Sequence, residues 1–151
     1  STDVAVLANT SPDYNTLRIT NNFETGLEYL ESTIKPNKQG GKPVVIGVHY
    51  NHDYASKNGN KATYHFIIVV GKGYDRNVRR HYYRYYEVGT SDSSIALSTR
   101  NKLYVDKSQR TLSGTGARDI YYTVTEIRQN ENNLYFFSLY MLVLLSRISL
   151  C

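Results

Sequence analysis

Two stretches constrain this chain more than any others. Ala62-Thr63-Tyr64-His65-Phe66-Ile67-Ile68-Val69-Val70-Gly71 and His81-Tyr82-Tyr83-Arg84-Tyr85-Tyr86-Glu87-Val88-Gly89 are rich in β-branched and aromatic residues. Each predicts a β-strand, and the segment between them predicts a hairpin loop. If the hairpin folds about Asp75-Arg76-Asn77, His65 and Glu87 lie at matching distances from the turn. They are then expected to face each other across the strand pair. Alternation puts His81, Tyr83, Tyr85 and Glu87 on one face, and Tyr82, Arg84, Tyr86 and Val88 on the other.

An imidazole oriented by an acid is the base half of a nucleophilic hydrolase site. Imidazole titrates near neutrality, so His65 can take a proton from a thiol or hydroxyl and return it to a leaving amine. Glu87 would hold one ring nitrogen and favour the imidazolium that develops. The structural alternatives are a strand-edge histidine satisfied by backbone and a surface glutamate balancing Arg84 or Lys102.

The remaining chemistry is sparse. The only cysteine is Cys151, at the end of the chain, which rules out a disulfide framework within it and offers a poor nucleophile. No Gly-x-Ser-x-Gly elbow, phosphate-cradling loop or dinucleotide fingerprint is present, so no cofactor is expected. His49, His52 and Asp53 have weak metal-ligand spacing without a third well-placed partner, so no metal is expected. Their loop joins two strands next to His65 and is expected to shape a cleft there.

With 151 residues, 40% hydrophobic and 21% charged, the chain suits one soluble domain. Its 15 tyrosines, against 4 phenylalanines and no tryptophan, favour half-buried sheet positions. Phe23, Leu27, Leu30 and Ile34 recur at helical spacing opposite Glu24, Glu28 and Glu31, which predicts a helix over 23–34 with Asn22 as its cap. Further strands are predicted at 43–48, 102–106 and 120–127. Residues 1–22, 90–99 and the glycine-containing Leu112 to Ala117 read as loop or turn. The expected class is therefore α+β: an antiparallel sheet of about five strands with an N-terminal helix packed on it. The domain is expected to span 1–130. Residues 131–151 are expected to form an apolar tail whose continuous run, Leu134 to Leu145, is twelve residues and too short to cross a membrane, and which offers a surface for self-association.

The net charge of +5 permits attraction to an anionic surface. Arg76, Arg79, Arg80 and Arg84 form the densest basic cluster, read as the rim of a solvated loop, and nucleic acid is not an expected partner. Single-strand binding through these arginines and nearby tyrosines stands as a third functional reading, which a steep salt dependence would support.

The order of elements resembles the C-terminal half of papain-like cysteine peptidases and amidases of bacteria. The resemblance rests on Gly41-Lys42-Pro43-Val44-Val45-Ile46-Gly47-Val48, then Thr63 to Asp75, then Tyr86-Glu87-Val88-Gly89-Thr90, and covers roughly residues 24–127. It implies His65 as the catalytic histidine and Glu87 as the orienting acid, where the family usually carries Asp or Asn. It implies a peptide or peptidoglycan-like substrate, a secreted or periplasmic setting and, in some relatives, a toxin role. The family's cysteine lies upstream of the helix at 23–34, where this chain has none. The resemblance therefore implies either a thiol supplied by a separate segment or chain, or an inactive form. The alternative function is a non-catalytic binding module that uses the sheet and the apolar tail.

Overall fold

The computed structural model describes residues 3–10, 17–35, 41–50 and 63–129. Nine strands and two helices lie within them: β1 (Asp3–Val6), β2 (Ala8–Thr10), β3 (Leu17–Ile19), α1 (Phe23–Thr33), β4 (Val44–His49), β5 (His65–Asp75), β6 (Arg80–Tyr86), α2 (Ser93–Ala96), β7 (Lys102–Asp106), β8 (Thr111–Thr115) and β9 (Tyr121–Arg128). None of these helices is long and apolar enough to cross a membrane.

The main sheet runs β1-β9-β4-β5-β6-β7-β8, and β8 also pairs with β9. All of its pairings are antiparallel. That extra pairing closes β9, β4, β5, β6, β7 and β8 into a six-stranded barrel, with β1 continuing along the remaining edge of β9. The α+β expectation, and with it the papain-like architecture, is overturned. The molecule is a β-barrel carrying two short helices, not an open sheet of about five strands with a helix laid on it.

The physical reason lies in Leu112 to Ala117. Its glycines suggest a turn, yet residues 111–115 form the strand that closes the barrel. Gly114 is required there by close approach: a Cβ would run into the carbonyl oxygen of Lys102 on β7. Ser113 and Gly114 pair with Thr123 and Tyr122 of β9, while Ser113 also pairs with Tyr104 of β7. The polar N-terminal region likewise contributes β1, which pairs Ala5 with Ile127 and Val6 with Glu126. The irregular 90–99 segment holds the single turn of α2, capped where Ser94 N donates to Asp92 Oδ1 at 2.9 Å.

Barrel closure buries alternate residues. Val44, Ile46 and Val48 of β4, Ile67 and Val69 of β5, Tyr83 and Tyr85 of β6, Leu103 of β7, Leu112 of β8, and Tyr122, Val124 and Ile127 of β9 share one core. Helix α1 adds Phe23, Leu27 and Leu30, followed by Ile34, as its spacing predicts. Asn22 stands at the N-cap position, as expected, but its side chain makes no capping bond; its Nδ2 donates instead to the Val6 carbonyl at 3.0 Å and ties the helix start to β1. The predicted apolar tail lies outside the described residues.

Candidate functional site

The β5–β6 hairpin turns at 76–79, with Asp75 opposite Arg80 and Ile68 opposite Tyr86. A bulge between Val69 and Gly71 shifts the ladder. The turn lies later than Asp75-Arg76-Asn77, so His65 and Glu87 are diagonal neighbours, not direct partners, and the bulge returns Glu87 to the face of His65. They still meet, because both point to the barrel interior, His65 in line with Ile67 and Val69, Glu87 in line with Tyr83 and Tyr85.

The structure brings the two predicted residues into hydrogen-bond contact. His65 Nε2 bonds Glu87 Oε1. With Glu87 ionised and the ring neutral, Nε2 is the nitrogen that carries the hydrogen and Nδ1 is the one left to accept a proton. Among the described residues Nδ1 has no partner. The His65 side chain is 18% exposed and that of Glu87 is 1% exposed. A buried carboxylate thus anchors an imidazole at the barrel mouth.

Two residues without a predicted role complete the arrangement. Tyr122 on β9 donates its hydroxyl to Glu87 Oε2 at 2.8 Å. Burial, and then the Glu87 charge, push the Tyr122 hydroxyl well above its ordinary value, so at neutral pH it is a committed donor. Arg118 Nη1 stands 3.7 Å from Glu87 Oε1 with its side chain 38% exposed. The sequence signal for Tyr122 is its inward position on β9, two residues before Val124. Arg118 lies in the connection between β8 and β9 and has no local signal.

Glu87 stands one residue beyond β6, where its position depends on α2. Glu87 N donates to the Ala96 carbonyl at 3.0 Å, and Tyr85 N to the Asn101 carbonyl at 3.0 Å. The buried Asn101 then links both flanks: its Nδ2 donates to the Ile95 carbonyl at 2.9 Å, and its Oδ1 accepts from Ala117 N at 2.9 Å. The loop bearing Arg118 is thereby tied to the segment that sets Glu87.

The His65 ring sits among aromatic groups. Its centroid lies 5.9 Å from Tyr122 and 6.4 Å from Tyr50, and Tyr50 also approaches Tyr64 at 5.6 Å. Gly89, at φ +84°, borders the ring edge: a Cβ there would lie 3.8 Å from His65 Cε1. Glycine at 89 satisfies the left-handed backbone and puts no side chain of its own against the edge between the two ring nitrogens.

His49 lies by Tyr64, with ring centroids 4.8 Å apart. His52, Asp53 and Cys151 lie outside the described residues, within which no group of three metal-ligating side chains occurs. The basic cluster divides: Arg76, Arg79 and Arg80 stand at the hairpin end, whereas Arg84 packs over Tyr86 and donates to the Leu97 carbonyl at 2.9 Å. No protein-family model, curated protein or solved structure matches the chain.

Proposed function

We propose that His65 is a general base for acyl transfer at an amide, oriented by Glu87, with Nδ1 as the nitrogen that moves the proton. The observation that carries this reading is the buried Glu87 carboxylate, which bonds the His65 ring on one oxygen and the Tyr122 hydroxyl on the other. Such an anchor fixes the tautomer and favours imidazolium as it forms. A thiol or hydroxyl attacking the carbonyl gives its proton to Nδ1, and the imidazolium returns it to the departing amine. The thiol expected from a separate segment or chain is the group this reading calls for, and a peptide or peptidoglycan-like amide is the substrate class.

The test is cleavage of a peptide mixture and of peptidoglycan stem fragments with an added small thiol as nucleophile, read by mass spectrometry as new termini, with His65→Gln as control. Turnover by the parent protein that His65→Gln abolishes supports the reading. Equal turnover by both proteins removes His65 from the chemistry. Saturable binding of these ligands without cleavage, by both proteins, selects the non-catalytic binding module.

A further inference from the structure

The ends of two neighbouring hairpins carry the same pattern. Asp75-Arg76-Asn77-Val78-Arg79 joins β5 to β6, and Asp106-Lys107-Ser108-Gln109-Arg110 joins β7 to β8. In each, the acid opens the turn and binds it from within: Asn77 N donates to Asp75 Oδ1 at 2.9 Å, and Gln109 N to Asp106 Oδ1 at 3.0 Å. In each, an arginine closes the turn in the left-handed region, at φ 55° for Arg79 and 54° for Arg110. Glycine or asparagine suits that backbone, and a long cationic side chain there in both tips points to a demand on the side chain itself.

The tips lie side by side because β6 and β7 are paired, and Arg80 Nη2 stands 3.7 Å from Asp106 Oδ2. Arg76, Arg79, Lys107 and Arg110 are exposed, and none forms an ion pair among the described residues. Among the described residues Arg110 donates only to the neutral Asn21 side chain, at 3.1 Å. The two acids do not neutralise them. Asp75 is taken by Lys102 and Tyr104, and Asp106 by its own turn and Arg80. Beside this charge stands an exposed ring pair: Tyr74, 50% exposed, opposite His81, with centroids 5.0 Å apart.

We propose that the paired hairpin tips bind single-stranded nucleic acid, with Arg76, Arg79, Lys107 and Arg110 on phosphates and Tyr74–His81 as a base-stacking platform. Unpaired cations alone would suit any polyanion; the adjacent exposed rings favour one that carries bases. In the sequence these arginines read as a solvated rim because the second tip is distant in the chain, and only the β6–β7 pairing brings it alongside. The surface lies at the opposite end of β5 from His65, and the proposal does not rest on the chemistry assigned to that residue.

The experiment is fluorescence anisotropy with a labelled twelve-nucleotide oligothymidylate. Four phosphate contacts at about 0.7 counterions each give a log–log salt slope of about −2.8, so affinity should fall about 50-fold between roughly 50 and 200 mM salt. The double variant Arg79→Gly, Arg110→Gly keeps the fold, since glycine accepts the positive φ, and its thermal midpoint checks this. It should bind more weakly, with the slope halved to about −1.4 and the fall over the same range reduced to about 7-fold. Tyr74→Ala with His81→Ala should weaken oligothymidylate binding and leave polyglutamate binding unchanged. Absence of saturable binding at the lowest salt, or an unchanged slope in the glycine variant, overturns the proposal. So does polyglutamate binding as tight as oligothymidylate binding; that result would assign the surface to an acidic protein.

Discussion

Tyr122 and His65 hold the same carboxylate from two sides: the tyrosine hydroxyl on Glu87 Oε2 at 2.8 Å, the imidazole on Oε1. The two donors come from strands far apart in sequence, β9 and β5, and Glu87 itself follows a third. The pair identified from the hairpin is thus a three-strand assembly inside a barrel, and its parts respond to substitution in distinct ways.

Tyr122→Phe removes one donor and leaves a buried acceptor oxygen short of a partner. Equilibrium denaturation should show a loss of about 1–3 kcal/mol. A loss near zero would mean that water replaces the hydroxyl and that the oxygen is wetter than its 1% exposed side chain implies.

Glu87→Gln keeps the shape but offers an amide that can present its NH2 to the ring and favour the other tautomer. Under the proposed function, the rate of amide cleavage should fall by about 10²–10⁴-fold, the usual worth of a positioned general base. Nitrogen NMR of the His65 ring reads the tautomer directly. Parent-like rates in the Gln variant would show that Glu87 only supports the fold.

Tyr83, Tyr85 and Tyr122 are each buried, and burial is the largest cause pushing their hydroxyls above the ordinary value. A raised folded value means that the stability is fully present below about pH 10, where unfolded tyrosine begins to ionise, and is lost as pH rises toward the folded values. Three such groups lower stability by about 4 kcal/mol per pH unit in that range. Tyrosinate absorbance should therefore rise cooperatively with unfolding. Independent titration of all tyrosines near pH 10, with the barrel intact, would contradict this.

On the acid side, the Tyr104 hydroxyl at 2.8 Å is the largest cause holding the Asp75 carboxyl below its usual value, with Lys102 and backbone donors adding to it. A lowered value contributes stability that is present above about pH 4 and lost as pH falls through the folded value. Tyr104→Phe should move the Asp75 carboxyl back toward the ordinary range in a carbon-detected NMR titration. An unchanged titration would leave the lysine as the dominant partner.

Gly114→Ala places a methyl group against the Lys102 carbonyl, where backbone cannot yield as a side chain would. Overpacking of this kind costs about 1–3 kcal/mol, and the thermal midpoint should fall accordingly. An unshifted midpoint would mean that β7 and β8 separate easily and that closure is loose.

Helix α1 and strands β4, β5, β6, β7 and β9 were legible in the sequence; β1, β2, β3, α2 and β8 were not, nor was the assembly. The α1 stripe of Phe23, Leu27, Leu30 and Ile34 has a clear period, and the inward set of Tyr83, Tyr85 and Glu87 follows from simple alternation. The glycines at 114 and 116 hid a strand, because they mark close backbone approach and not a reversal of the chain. Without β8 the sheet has no reason to close, so an open α+β arrangement followed. Closure is also what carries Tyr122 to Glu87, and no spacing within one strand reports a donor 35 residues away. The His65–Glu87 contact was legible because the hairpin makes it nearly local.

One edge of β9 is divided: its first residues pair with β8 and its last with β1. The described chain therefore meets itself at this strand, with Ala5 beside Ile127 and Ile127 beside Ile46 on the other side. Contacts that span so much chain form against a large loop-closure cost, which makes such topologies slow to fold. The β5–β6 hairpin can assemble early, with imidazole and carboxylate already near each other. Their third partner arrives only when β9 docks, so a complete site also reports that this long-range pairing has formed.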